Sequence, residues 1–249
     1  MSVSARALRT AAAAVSFLTR VPLGRLELTA EDVARGAFLF PAVGAGIGAL
    51  VALTAEGVAG SLAPLLAGAV AVALEALLTG AIHLDALADA ADGLGAPSRE
   101  RALEAMRDPT IGTFGALALG LDTLLKVGAI AMLVAGDSLL PGVAAFALGR
   151  AAPLGLGLAL PYARAGSGSG RALTDGPIWP RAGGVVLAGA IAAAALGWDA
   201  LVVAGAAVGL TLAIGVIARS RLGGVTGDVL GAATELVTTA GLLTAAATA

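Results

Sequence analysis

Long apolar runs, separated by short polar connections, follow one another along most of this sequence. A membrane-spanning helix needs about 20 mostly apolar residues. The runs near 33–57, 64–82, 112–135, 139–160, 183–197, 199–218 and 228–247 approach or exceed that length. The fifth run is short, and the Gly-Trp-Asp sequence at 197–199 predicts that the fifth and sixth form a tight helical hairpin. The pattern predicts an all-α, polytopic integral membrane bundle of about seven transmembrane helices.

Composition agrees with a location in the lipid bilayer. Of 249 residues, 58% are hydrophobic and 13% are charged, unlike ordinary soluble domains. The 36 glycines predict close helix packing through small residues. The absence of cysteine excludes disulfides, thiolate metal sites and a cysteine nucleophile. A net charge of −2 gives no indication of a nucleic-acid partner, and composition leaves open whether the protein forms a homo-oligomer.

Basic residues fall on one side of the predicted bundle. The connections at 58–63, 136–138 and 197–199 contain no lysine or arginine. The opposite side receives Arg6, Arg9, Arg20, Arg25, Arg35, Arg99, Arg101, Arg107, Arg164, Arg171, Arg181, Arg219 and Arg221. By the positive-inside rule that side is cytoplasmic, which places the N-terminus inside and the C-terminus outside. The chain is then one membrane domain, 1–249, with an amphipathic N-terminal segment at 1–25, an Asp-rich segment at 83–111 and a flexible cytoplasmic loop at 161–182.

The stretch HLDALADAADG at 83–93 is the strongest candidate for chemistry. If it is helical, Asp85, Asp89 and Asp92 lie within about 60° of one another around the helix axis. Three carboxylates on one face repel one another unless a cation lies among them. Oxygen-only ligands favour a hard cation such as Mg²⁺ or Mn²⁺. We expect catalytic metal ligands here; the alternative is a solvated acidic helix end.

A second acidic element lies in RLGGVTGDVLGAATE at 221–235. Asp228 and Glu235 are seven residues apart and share a helix face, so both join the predicted metal ligands. Glu235 lies inside a predicted span, where an ionisable group usually faces a partner or a polar cavity. Carboxylate-held divalent cations beside arginines commonly handle diphosphates. The sequence therefore predicts phosphoryl transfer at the cytoplasmic face.

The residues that follow the aspartates are candidates for substrate binding. Arg99 and Arg107 can clamp phosphate oxygens, although i, i+3 and i, i+4 pairs in the same segment also fit ordinary surface pairing. Asp108 precedes a proline and predicts a helix end. Gly112 begins a stretch whose backbone N–H groups can approach a phosphate at the start of the third span.

Two basic residues lie inside predicted spans. Lys126 and Arg150 could contact a ligand, but pairing with Asp122, Glu75 or Glu235 is equally supported for each. Both are retained as candidates for substrate binding.

The single histidine and a glycine-rich loop complete the candidate residues. His83 could act as a base or a phosphate donor, or form an ordinary local hydrogen bond. Arg164 flanks a Gly/Ser loop at 163–177 that is long enough to fold over a ligand, although a plain cytoplasmic loop needs no function.

At these residues the chain resembles the cobalamin synthase family, the adenosylcobinamide-GDP ribazoletransferases that act late in vitamin B12 assembly. The matching pieces are FLTRVPL at 17–23, the H-x-D-x-L-x-D-x-x-D-G pattern at 83–93, MRDPTIGTFG at 106–115 with Lys126 downstream, and RLGGVTGD at 221–228. They span nearly the whole chain in the expected order. One departure is Ala86, where the family is expected to favour glycine; this leaves the carboxylates in place but alters local packing.

The resemblance implies a Mg²⁺-dependent enzyme of the bacterial or archaeal cell (inner) membrane that faces the cytoplasm. It would join adenosylcobinamide-GDP to α-ribazole, or to its 5′-phosphate, and release GMP. In this interpretation the cation is held by Asp85, Asp89 and Asp92, with Asp228 as a further ligand, and bridges the diphosphate. A ribose hydroxyl attacks the phosphorus that carries cobinamide, with an unliganded carboxylate or His83 as the base.

Two other functions are alternatives to this one. A CDP-alcohol phosphotransferase shares a D-x-x-D-G opening at Asp89, Asp92 and Gly93, but its expected Ala-Arg and later aspartate pair have no match here. A small cation or metabolite transporter would need polar groups near the bilayer midplane and often has broken helices in paired halves. Here most carboxylates cluster at one face. Three measurements separate these functions. GMP release from adenosylcobinamide-GDP indicates the ribazoletransferase, and CMP release from a CDP-alcohol indicates the phosphotransferase. Flux across proteoliposomes without turnover of either nucleotide substrate indicates a transporter.

Overall fold

The computed structural model describes residues 3–24, 27–136, 138, 140–165 and 168–248. Arg25, which the charge argument uses, lies outside the described residues. The described chain is all-α, as predicted, and its one isolated strand-like pairing joins Tyr162 to Val225. The helices are α1 Val3–Leu18, α2 Ala30–Gly36, α3 Phe40–Ala59, α4 Pro64–Thr79, α5 Ile82–Gly95, α6 Arg99–Ala105, α7 Thr113–Ala135, α8 Leu140–Ala159, α9 Ala172–Asp175, α10 Ile178–Leu196, α11 Ala200–Leu222 and α12 Gly227–Thr248.

Five stretches among the described residues are long and apolar enough to cross a membrane. One of them, Ile178–Leu222, covers 45 residues, about twice what one crossing takes. It reverses at Gly197, whose φ is +57°. Gly184 of α10 lies against Leu154, and Gly215 of α11 lies against Leu156, so both helices flank the same part of α8. The stretch therefore crosses twice, as the predicted hairpin at 197–199 requires.

The second predicted span was too long. It was expected over 64–82, but α4 ends at Thr79 and α5 leaves at 92° to it. Gly80 and Ala81 both adopt left-handed backbone conformations, with φ of +64° and +56°. The Ala81 N–H donates to the Ala76 carbonyl at 2.8 Å, which closes α4 as a Schellman motif. With 14 residues and three aspartates, α5 does not cross the membrane itself but lies at the rim of the bundle.

Glycines bring the helices of the core close to α8. A Cβ on Gly44 would collide with the Phe146 carbonyl, and a Cβ on Gly48 with the Gly142 carbonyl, so α3 can approach α8 only through glycine. On the other side, Gly149 of α8 lies against Thr238 of α12. As a result α8 is almost entirely buried between its neighbours.

The N-terminal segment is a helix that packs on the bundle with one face, as its amphipathic pattern predicts. Ala13 and Ala14 of α1 are buried, whereas Leu8 is exposed. Arg9 forms an ion pair with Asp32 at 2.7 Å, which ties α1 to α2. The chain then continues over the break between α4 and α5, where the Arg20 N–H donates to the Leu78 carbonyl at 2.7 Å.

Candidate active site

The aspartate stretch forms the rim helix α5, as predicted, and its carboxylates act on one another. Asp85 is exposed, while Asp89 and Asp92 are half-buried. Burial raises the pKa of Asp89 to about 6, and the neighbouring carboxylates Asp85, Asp228 and Asp92 add to the rise. Arg164 opposes it. The four carboxylates are therefore close enough to influence one another. Three of them lie on α5, and the fourth lies in the first turn of α12.

Asp92 forms the N-terminal cap of α7. Its carboxylate accepts hydrogen bonds from the backbone N–H groups of Gly112 at 2.7 Å and Gly115 at 2.9 Å. A negative charge at this position is favoured by the helix dipole. A Cβ on either glycine would collide with the carboxylate, so the approach requires glycine at both positions. An internal carboxylate, rather than the phosphate predicted for Gly112, takes these donors.

Arg164 brings the glycine-rich loop to the second acidic element. Its guanidinium forms an ion pair with Asp228 at 2.7 Å, and both side chains are largely buried. Thr226 donates its hydroxyl to Asp228 at 3.3 Å and accepts the N–H of Val229 at 3.2 Å, which caps α12. Because Arg164 carries one charge and Asp228 is paired with it, the excess negative charge lies on α5.

A cavity of about 220 Å³ opens beside these carboxylates. His83, Asp85, Asp228 and Thr234 supply its polar wall, and the apolar wall includes Phe17. His83 is 7% exposed, and its Nδ1 has no hydrogen-bond partner among the described residues. A larger cavity of about 510 Å³, between α8, α10 and α11, has no carboxylate among its described lining residues and is not the candidate site.

The donor set fits a hard divalent cation by its chemistry and electrostatics. The repulsion that raises the pKa of Asp89 is what a cation among the carboxylates would relieve. Within the described ranges, however, no three carboxylate or imidazole side chains are close enough to hold one ion. Both carboxylate oxygens of Asp92 accept hydrogen bonds from α7, and Oδ2 of Asp228 is paired with Arg164. A cation would therefore need side-chain movement around Asp89.

Comparison with known proteins assigns the chain to a family. A family model described as cobalamin-5-phosphate synthase matches residues 10–246. The chain belongs to the cobalamin-5-phosphate synthase family. It is 36% identical to an adenosylcobinamide-GDP ribazoletransferase of Chlorobaculum tepidum over 94% of this chain and 93% of that protein. It is also 39% identical to the ribazoletransferase of Pseudomonas syringae, over 94% and 97%, and 40% identical to that of Leptothrix cholodnii, over 90% and 89%. No solved structure matches the chain.

The candidate residues that follow the aspartates in this synthase-family chain differ in their contacts. Some of their side chains stabilise the fold, and one makes no such contact. Arg99 donates to the carbonyls of Leu222 and Ala163, both at 2.8 Å, and so joins α6 to the end of α11. Asp108 accepts the N–H of Thr110 at 2.9 Å and forms a turn. Among these candidates Arg107 is exposed, and its side chain has no hydrogen bond or ion pair to any described residue. It is the candidate left free for a phosphate.

Lys126, Arg150 and Glu235 lie in a buried polar cluster rather than at the rim. Lys126 contacts Glu235 and lies 3.1 Å from Glu75, while Arg150 lies 3.8 Å from Glu75. All four side chains are at most 2% exposed. The structure thus realises the pairing alternative for Lys126 and Arg150. It corrects the assignment of Glu235 to the rim carboxylates, because its carboxylate is satisfied by a lysine in the bundle core.

Two features of the site were not predicted. Thr226 caps α12 and contacts Asp228; a threonine before a helical run is a known N-cap signal that could have revealed it. Ala86, which departs from the pattern expected for the family, packs its Cβ against Gly231 of α12. The methyl group fits because the facing residue has no side chain.

Proposed function

We propose that this protein is an adenosylcobinamide-GDP ribazoletransferase, which transfers the cobinamide phosphate of adenosylcobinamide-GDP to α-ribazole or its 5′-phosphate and releases GMP. The single observation that carries the proposal is the grouping of three carboxylates, Asp85, Asp92 and Asp228, around Asp89 in a chain of this family. The names of the similar proteins support the same reaction.

The reaction is a displacement at phosphorus. A ribose hydroxyl oxygen of α-ribazole forms a bond to the phosphorus that carries cobinamide, and the bond from that phosphorus to the bridging oxygen breaks. GMP leaves with the bridging oxygen and its electron pair, and the hydroxyl proton passes to a base. Most of the catalytic effect in such reactions comes from positioning and charge stabilisation.

The residues at the rim can carry these roles. A carboxylate that is not bound to the metal, or His83, would accept the hydroxyl proton. His83 lines the adjacent cavity, and its Nδ1 has no hydrogen-bond partner among the described residues. Arg107 is free to contact the guanosine diphosphate. Arg164 is already paired with Asp228 and positions that carboxylate.

Mg²⁺ is the proposed cofactor, with Asp85, Asp89, Asp92 and Asp228 as the residues that would hold it. When bound, it would neutralise charge on the diphosphate and on the departing GMP. The arginine distribution supports an active site on the cytoplasmic side of the cell membrane. A membrane-embedded bundle also suits a bulky amphipathic corrinoid substrate.

The test uses the purified full-length protein in detergent with adenosylcobinamide-GDP, α-ribazole and Mg²⁺, and measures GMP by chromatography. We expect GMP release that needs both α-ribazole and the metal and stops with EDTA. Asp89→Asn should reduce turnover at least 100-fold. Asp199→Asn is the matched control, because Asp199 is exposed in the distant α10–α11 turn. CMP release from a CDP-alcohol, without GMP release, would contradict the proposal.

A further inference from the structure

We propose that the cavity beside Asp85 is the binding site for the acceptor nucleoside, with the aromatic base against Phe17 and the ribose directed at His83 and Asp228. This inference rests on the proposed function and locates one of its two substrates. It also gives a role to the FLTRVPL segment, which the aspartate chemistry leaves unexplained.

The lining of the cavity is partly apolar and partly polar. Phe17 and Leu18 of α1 and Phe40 of α3 are among its apolar residues, and the rings of Phe17 and Phe40 stack with centroids 5.3 Å apart. Its polar residues are His83, Asp85, Asp228 and Thr234. The base of α-ribazole, a methylated benzimidazole, is a flat and largely apolar bicycle. Its ribose carries the hydroxyls, so the two kinds of lining residue match the two halves of the nucleoside.

His83 is the observation that points to a ligand rather than to empty packing space. A buried polar atom normally has a hydrogen-bond partner, and an exception requires an explanation. His83 Nδ1 has none among the described residues, although the side chain is 93% buried and lines the cavity. A ribose hydroxyl in the cavity would supply that partner after a turn of the imidazole ring that brings Nδ1 to the cavity. The same position would bring another ribose hydroxyl toward the carboxylates of Asp85 and Asp228.

The size of the cavity selects between the two substrates. Its volume of about 220 Å³ is below the ~300–1,000 Å³ typical of small-molecule pockets. A corrinoid is far too large to enter, whereas a bicyclic base and part of a ribose are of the right order. Gly170 of the loop and Gly227 of α12 form part of its wall, and a Cβ on Gly170 would approach Leu230 to 2.9 Å. The loop and α12 therefore pack closely against each other at this point of the wall.

Equilibrium binding of radiolabelled α-ribazole to the full-length protein in detergent tests the site. We expect Phe17→Ala to weaken binding at least tenfold, because it removes the aromatic wall. Phe38→Ala is the matched control: Phe38 is 36% exposed and lies beside Trp179, not in the cavity. We expect its affinity to stay within twofold of wild type. In turnover assays, Phe17→Ala and His83→Gln should raise the KM for α-ribazole about tenfold and leave the KM for adenosylcobinamide-GDP unchanged.

A second measurement on the unaltered protein removes any dependence on the folding of a variant. Unlabelled 5,6-dimethylbenzimidazole should displace α-ribazole, and adenine, whose base edge is polar, should do so at least tenfold less well. Absence of α-ribazole binding to the wild type, or equal displacement by the two bases, overturns the inference. So does an unchanged acceptor KM in Phe17→Ala while the wild type releases GMP, and in that case the proposed function stands. Binding without any GMP release would instead remove the proposed function and keep the site.

Discussion

The Asp92 carboxylate accepts the backbone N–H of Gly112 at 2.7 Å, across 20 residues of sequence. This bond joins the rim helix α5 to the first turn of α7, and the Gly115 N–H adds a second contact at 2.9 Å. The last aspartate of the motif is therefore part of the scaffold that holds the other two. Its environment differs from that of Asp89, whose pKa is raised to about 6 by burial and by the neighbouring carboxylates.

Gly115→Ala should destabilise the protein and reduce activity, because the new Cβ would collide with the Asp92 carboxylate. Overpacking of this kind costs about 1–3 kcal/mol. Thermal unfolding in detergent, followed by circular dichroism, measures the change. Gly120→Ala on the same helix is the control: its Cβ would meet nothing within 4 Å, so we expect an unchanged or higher Tm. Equal Tm values for the two variants would show that the contact between Asp92 and α7 does not require glycine at position 115.

The aspartate helix could be predicted because the period of three carboxylates is visible within 11 residues. The contact between Asp92 and Gly112 could not, because it depends on how α5 lies relative to α7. That direction is set by the left-handed pair Gly80 and Ala81, and alanine gives no sequence signal for such a conformation.

The pairing of the buried charged residues also depends on helix packing that the sequence does not show. Sequence predicts that Lys126 needs a partner, and Glu75, Asp122 and Glu235 were all candidates. Only the packing of α4, α7 and α12 shows that all three surround it. The spacing of Asp228 and Glu235 predicts that they share a helix face, and this is why Glu235 is among the predicted metal ligands. The sequence does not show how deeply Glu235 is buried in the bundle.

Lys126→Met should destabilise the bundle by about 3–5 kcal/mol, because it leaves buried carboxylates without a cation. The double variant Lys126→Met/Glu235→Gln removes one charge of each sign and should recover part of the lost Tm. Detergent melting curves measure both effects. If Lys126→Met instead raised the KM for adenosylcobinamide-GDP without lowering the Tm, Lys126 would be a substrate ligand after all.

Arg107→Gln should raise the KM for adenosylcobinamide-GDP about tenfold and leave the Tm unchanged, because the Arg107 side chain is exposed and makes no hydrogen bond or ion pair to a described residue. Arg101→Gln is the control, since Arg101 pairs with Glu104 at 3.2 Å on the surface. Such pairs contribute little to stability. A lower Tm with an unchanged KM in Arg107→Gln would assign the residue a structural role.

Activity should depend on pH through Asp89. Its pKa is raised to about 6, so the carboxyl holds its proton to a higher pH than an ordinary aspartate and must lose it to bind a cation. Below pH 6, the Mg²⁺ concentration for half-maximal GMP release should rise about tenfold per pH unit. Titrations at pH 5, 6 and 7.5 measure this, with Asp199→Asn as a control that keeps the wild-type profile. A constant Mg²⁺ requirement across that range would show that Asp89 does not bind the metal.

The membrane orientation can be tested by single-cysteine labelling, because the chain contains no cysteine of its own. Glu104 on α6 belongs to the arginine-rich side, whereas Asp199 and Thr248 lie at the opposite turn and the end of α12, and all three are exposed. A membrane-impermeant maleimide should label Asp199→Cys and Thr248→Cys in intact spheroplasts, and Glu104→Cys only after permeabilisation. Labelling of Glu104→Cys in intact cells would place the aspartate rim outside. If only one of Asp199→Cys and Thr248→Cys were labelled, the predicted arrangement of about seven crossings would be wrong, because α11 and α12 must return the chain to the same side.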